Sequence, residues 1–165
     1  MKGCAEVRKV VWSDEIELRG STLMKRFALL VRERLRNFAI RSRVKWLTML
    51  WGHRIAPTAR ISFSAYLDRT YPEGIVIGEK SIITRGAMIL SHDFSRSYRA
   101  ETCVGRNCFI GVNAIVMPGI CIGDEVVVGA GAVVTTDIPS GSLVVGNPGR
   151  VVRTIRTRDY GQIVI

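Results

Sequence analysis

The feature that most constrains this chain is a repeat of six residues. From Ile77 the sequence reads IGEKSI, ITRGAM, ILSHDF; nine residues later, after SRSYRAETC, it resumes at Val104 as VGRNCF, IGVNAI, VMPGIC, IGDEVV, VGAGAV and VTTDIP. The first position is aliphatic in all nine hexads: Ile77, Ile83, Ile89, Val104, Ile110, Val116, Ile122, Val128 and Val134. The second is Gly in five of the nine, and the fifth is Ser, Ala, Cys or Val in six, which argues against ordinary strands with chance glycines. A looser pair, IAPTAR and ISFSAY, precedes them from Ile55 and Ile61.

A period of six matches neither the 3.6 of a helix nor the simple alternation of an isolated strand. It suits a chain that turns a corner every six residues, each short strand placing one aliphatic side chain inward. Glycine at the second position is expected to supply backbone freedom at the corner. The small fifth residue fits where the interior narrows. Stacked coils would pair as parallel strands about 4.8 Å apart and align the aliphatics into ladders. Each coil then depends on its neighbours for stability.

These hexads resemble those of the hexapeptide-repeat acyltransferases over about residues 53–153. The resemblance implies a mainly β fold, a left-handed parallel β-helix of about four triangular coils. The left hand comes from the resemblance alone, since crossovers are ordinarily right-handed. It also implies a homotrimer with active sites between neighbouring subunits. The expected organisation is a basic helical segment at 1–54, the β-helix at 55–153 and a C-terminal tail at 154–165.

The net charge of +10 is concentrated in one place. Residues 24–54 hold nine basic side chains against the single acid Glu33, while residues 1–23 sum to zero. Between Ser21 and Trp51 there is no Pro or Gly, and good helix formers abound. Ser21 is placed to cap a helix there and Gly52 to end it. Phe27, Leu30, Val31, Leu35 and Phe38, then Leu47, Leu50 and Trp51, form an imperfect apolar stripe. One reading is a helix or helix pair packed on the domain with solvated arginines. A second is a helix lying on an anionic membrane surface, with Trp46 and Trp51 entering the interface. Nucleic acid ranks third, since no recognition motif accompanies the charge.

No apolar run approaches the length of a membrane span. The first dozen residues lack the h-region and cleavage site of a signal peptide. Four irregularly spaced cysteines point to reduced thiols, so a cytoplasmic protein is expected, with peripheral contact at the inner membrane face as an extension.

The repeat breaks once, at SHDF, and His92 stands just before the excursion. An insertion into a regular solenoid often serves a ligand, and histidine is suited to proton transfer near neutral pH. From position alone, a satisfied surface histidine is the commoner explanation. The galactoside- and maltose-type O-acetyltransferases, which the chain resembles, carry a catalytic histidine at this place, and that resemblance implies His92 as general base. Serine acetyltransferases resemble the stretch LDRTYPEGIVIGEK, but their histidine follows its aspartate directly, where this chain has Arg69 after Asp68. The carboxylate of their dyad would fall near Arg54. That branch is therefore not expected.

Asp68, Glu73 and Asp93 remain open as the partner that orients His92 or as groups binding acceptor hydroxyls. The stretch VVGAGAVVTTDIPSGSLVVGNPGRVVR is similar to the coenzyme A groove of these enzymes. Residue by residue, that similarity places Val112, Ala130, Thr135, Thr136, Arg150 and Arg153 at coenzyme contacts. Val112 departs from the family's hydroxyl and Thr136 from its lysine. His53 is read as structural or solvated, and Cys108 as packing. Cys103-x4-Cys108 lacks the paired ligands of a zinc site.

The expected activity is acetyl-CoA-dependent O-acetylation of a sugar or cell-surface polysaccharide precursor, through a ternary complex and with no metal required. The alternatives are N-acetylation of a nucleotide-linked amino sugar and a non-enzymatic β-helix scaffold. A zinc carbonic anhydrase of this fold needs three histidines, and the chain has His53 and His92 only.

Overall fold

The computed structural model describes residues 22–164; Ser21, expected as a helix cap, lies outside the described residues. The described chain falls into two compact units that part between Arg34 and Leu35. One helix, α1, runs Thr22–Trp51. It stops where the sequence supplies a residue able to leave the helix, for Gly52 takes φ +78°.

In the larger unit the chain winds through three parallel sheets in turn. The first sheet stacks Arg54–Ile55, Ile75–Ile77, Thr102–Val104 and Cys121–Ile122. The second stacks Arg60–Ile61, Ile82–Ile83, Phe109–Ile110, Val127–Val128 and Ser142–Val145, with Arg150–Thr154 returning antiparallel along its edge. The third stacks Tyr66–Leu67, Met88–Ile89, Ile115–Val116 and Val133–Val134. Together these make a β-helix.

Register aligns the aliphatics into three internal ladders. Ile55, Ile77, Val104 and Ile122 stand in line on the first face. Ile61, Ile83, Ile110, Val128 and Val144 do so on the second. Leu67, Ile89, Val116 and Val134 complete the third. All are buried, most of them completely. Each such side chain contributes about 1.5–3 kcal/mol by leaving water. The small fifth-position residues Ser81, Ala87, Cys108, Ala114, Val126 and Ala132 are fully buried as well.

The role expected for glycine at the second position is corrected by the structure. The left-handed backbone falls at the fourth position instead: Lys80, Asn107, Asn113 and Glu125 have φ between 52° and 57°, and Gly86, Gly119 and Gly131 share the region. The second position is about space. A Cβ built on Gly78, Gly105 or Gly111 would stand 2.6 Å from an atom of the next coil, and on Gly123 2.5 Å. Glycine there lets successive backbones meet at the corner.

The apolar stripe of α1 also divides differently from the sequence expectation. Val44 and Leu47 are buried in the core and Trp51 packs against it. Phe27, Leu30, Leu35, Phe38 and Leu50 are exposed. Trp51 lies edge-on to Trp46 at 6.0 Å, with the Arg69 guanidinium 4.8 Å from its ring centre, so it is committed to the fold. Arg43 donates to the Ala65 carbonyl at 3.1 Å and stacks over Phe63.

The C-terminal residues turn back along a corner. Thr157 donates its hydroxyl to Asn107 O and its backbone N–H to Glu125. Tyr160 N–H donates to Lys80 O at 2.9 Å, and its ring lies 3.9 Å from the Arg60 guanidinium carbon. Lys80 pairs with Asp159 at 2.8 Å.

Two glycine substitutions separate space from backbone freedom. Gly131→Ala accepts a strained φ of +68° but meets nothing within 4 Å, and should cost about 1 kcal/mol. Gly111→Ala meets Val128 O at 2.6 Å and should cost about 3 kcal/mol, because backbone must move. Denaturant titration of both variants checks the order. A Gly131→Ala variant as damaged as Gly111→Ala would contradict it.

Candidate active site

His92 opens a small hairpin where the sequence repeat breaks. His92–Asp93 pairs antiparallel with Tyr98–Arg99, so the excursion begins at His92 and the chain is back in the first sheet by Thr102. Its base is tied down from inside. Buried Thr102 donates to Leu90 O at 2.6 Å and accepts from Gly119 N–H at 2.9 Å. Asp93 shapes the turn by accepting from the Ser95 amide and hydroxyl and from the Arg96 amide. The Ser95 hydroxyl first, and then those amides, hold the Asp93 carboxyl below the usual range.

Register places Asp68 beside this corner, since Leu67 pairs with Ile89 one coil on. Asp68 has a side chain only 1% exposed, yet it is met by donors throughout. Its Oδ1 accepts from Thr70 N–H at 2.9 Å. Its Oδ2 accepts from the amides of Ser91 and His92 and lies 2.8 Å from His92 Nδ1. Burial by itself would push this carboxyl up. The hydrogen bonds from His92, Thr70 and Ser91 outweigh burial and hold it below the ordinary carboxylate value. A carboxylate so placed keeps the proton on Nδ1 and leaves Nε2 as the basic nitrogen. The His92 side chain is 28% exposed, and with Nδ1 bound to Asp68 the nitrogen left for a reactant is Nε2.

The other expected residues fall around this pair unevenly. Glu73 is exposed on the short turn Pro72–Gly74, next to Tyr71, whose carbonyl receives the Ser91 hydroxyl at 2.6 Å. Val112 and Ala130 stand on successive coils at the corner joining the second and third sheets, where Gly131 N–H donates to Val112 O. Thr135 and Thr136 follow the third sheet at its opposite edge, both exposed. Arg150 and Arg153 lie on the antiparallel end strand and are exposed. Each of these arginines is a fixed cation suited to phosphate.

His53 is not solvated. It is 1% exposed, with Nδ1 3.2 Å from Leu47 O and Nε2 3.0 Å from Asp68 O. Burial first lowers its pKa, and the nearby Arg69 charge adds to that. It links the end of α1 to the residue that holds His92. Cys108 is inside the β-helix, where burial pushes its thiol up to about 11. Burial and then Glu101 push Cys103 up to about 12, so both thiols stay protonated at neutral pH and make poor ligands or nucleophiles.

Sequence reasoning did not find Thr70, Ser91 or Thr102. Ser91 and Thr102 flank the break in the repeat, which was the available signal; Thr70 acts through its backbone and left none.

Comparison with known proteins agrees with this architecture. Residues 102–136 match the family model described as the hexapeptide repeat of succinyl-transferase. A maltose O-acetyltransferase from Clostridium difficile 630 has a similar structure, with TM-score 0.53 and 27% identity over 78% of this chain and 89% of that one. Over residues 102–136 the chain carries a hexapeptide repeat, and its fold is similar to that of a known acetyltransferase. A hexapeptide-repeat-containing acetyltransferase from Vibrio cholerae shares the fold at TM-score 0.55 and 20% identity, covering 77% and 90% of the two chains. So does the Bacillus cereus N-acyltransferase AntD, solved with dTDP-4-amino-4,6-dideoxyglucose and coenzyme A, at TM-score 0.56, 21% identity and 63% of each chain. No curated protein matches the chain in sequence.

The lowered Asp68 carboxyl makes a test with a defined sign. Its ionic contribution to stability is complete above the ordinary carboxylate pKa of about 4 and is lost as pH falls through its lower folded value. Asp68→Asn turns an amide donor toward N–H donors and should cost about 2 kcal/mol or more at pH 7. The gap between wild type and variant should narrow on acidification below about pH 4. Urea titrations at pH 7 and pH 3 measure it; a gap of unchanged size would mean that the Asp68 charge is not what stabilises the corner.

Proposed function

We propose that this protein is an acyltransferase that transfers acetyl from acetyl-CoA to a hydroxyl of a sugar or cell-surface polysaccharide precursor. The observation that carries the reading is the buried Asp68 carboxylate on Nδ1 of a partly exposed His92, beside the hairpin that interrupts the repeat. His92 Nε2 takes the proton of the acceptor hydroxyl as that oxygen attacks the thioester carbonyl. The new C–O bond forms, the C–S bond breaks as the tetrahedral intermediate collapses, and the proton passes to the departing sulfur. Asp68 stays ionised and stabilises the imidazolium, as a positioning residue. A backbone N–H near the hairpin serves the oxyanion. A thioester is already activated, so the enzyme needs no covalent intermediate.

Coenzyme A is assigned to a groove along the third sheet. Val112 and Ala130 would border it on one side, Thr135 and Thr136 on the other, and Arg150 and Arg153 would meet phosphate. Glu73, on the turn after Tyr71, and Asp93, next to His92 in the chain, are the candidates for acceptor hydroxyls. Asp68 is ranked lower for that role, because chain donors occupy it. The reading includes a left-handed helix of about four triangular coils over 55–153 and a cytoplasmic homotrimer. The depth of the three sheets supports the coil number. The alternatives are N-acetylation of a nucleotide-linked amino sugar and a scaffold without activity.

Coenzyme A release, measured with neutral sugar acceptors and with nucleotide-linked amino sugars, separates the three. His92→Ala should lower turnover by about 10²–10⁴-fold with acetyl-CoA affinity nearly unchanged. Near-normal turnover in that variant would remove His92 from the mechanism. Sedimentation of the active protein should give a trimer, and a fully active monomer would contradict the shared-site arrangement.

A further inference from the structure

α1 carries two unlike faces. On one, Val44 and Leu47 are buried against the β-helix. On the other, Met24, Phe27, Val31, Leu35 and Phe38 recur at spacings of three and four residues, and Trp46 and Met49 continue the same side. These are large and uncovered: Phe27 is 69% exposed, Phe38 71% and Met49 85%. Helical geometry sets Arg34, Arg41 and Lys45 along one flank of this stripe and Arg32 along the other.

We infer that this outward face of α1 docks on an anionic lipid surface. Two properties of the helix select that occupant. The first is charge: nine basic residues against Glu33 between 24 and 54 favour an anionic plane and oppose a second copy of the same helix. The second is the combination of an apolar stripe with basic flanks, which fits a helix lying in the headgroup region. No described helix is long and apolar enough to cross a membrane, so the helix lies on the surface. Phe27, Phe38 and Met49 enter the acyl boundary, and the arginines stay at phosphate depth. Trp51, the aromatic at the helix end, takes no part because it packs on the core.

This docking is independent of the acetyl-transfer reading, and the test keeps them apart. Co-sedimentation of the whole protein is measured with vesicles of phosphatidylcholine alone and of phosphatidylcholine containing phosphatidylserine, at low and high salt. Retention should need the anionic lipid and should fall at high salt, as surface charge is screened. Arg34→Gln/Arg41→Gln should weaken retention about thirtyfold, on the scale of two basic residues near a charged leaflet. Phe27→Ser/Phe38→Ser should weaken it further, with coenzyme A release on a soluble acceptor unchanged in both variants. Equal, poor retention on both vesicles at low salt overturns the inference. So does a concentration-dependent self-association that Phe27→Ser/Phe38→Ser abolishes, since the face would then be covered by another copy. If the aromatic variant fails to fold, the arginine variant decides alone: retention equal to wild type overturns the proposal.

Discussion

Coils of a β-helix can stack only as closely as the backbone at their corners permits. In this chain the corner contact is made by glycine, with the next coil's backbone where a Cβ would be at Gly78, Gly105 and Gly111. That approach sets the pairing of the three sheets, and pairing sets the ladders of Ile, Val and Leu inside. Six of the nine hexads fill the fifth position with Ala, Ser, Cys or Val, all buried inside. Sequence periodicity, sheet register and core volume are three expressions of one close approach.

The candidate site uses the same stacking for a different end. Asp68 and His92 are separated by one coil, as Leu67 and Ile89 are, and the fold brings them together without any special loop. Burying a carboxylate costs free energy unless donors meet it. Here the amides of Thr70, Ser91 and His92 meet it, and these are backbone groups made available where the chain leaves its regular pairing. Breaking the repeat therefore both exposes His92 and releases the donors that keep its partner ionised.

The repeat made the fold legible from sequence because every coil solves the same packing problem. His92 drew attention because it stands where that solution is interrupted, while its expected role as a base came from the resemblance to the O-acetyltransferases. The partner of His92 was harder: Asp68, Glu73 and Asp93 are all acids near the break, and only three-dimensional register tells which meets the ring. The glycine role was misread for a physical reason. Left-handed backbone was assigned to the residue type that most tolerates it, whereas Lys80, Asn107, Asn113 and Glu125 adopt it and glycine is reserved for contact. The stripe of α1 was read as one surface, but a helix with apolar residues on two sides does not announce which side is covered.

The returning C-terminal segment has a consequence for how the molecule is made. Tyr160 touches Arg60 and Lys80, and Thr157 bonds to Asn107, so corners laid down early in synthesis are finished by residues made late. Neighbouring coils can form as they are produced, since each pairs with the one before it. The corner beside Arg60 must wait for a partner a hundred residues downstream, a loop closure whose entropic cost falls at the end of folding. Contacts within the stack join neighbours in sequence, whereas this closing contact joins residues at opposite ends of it.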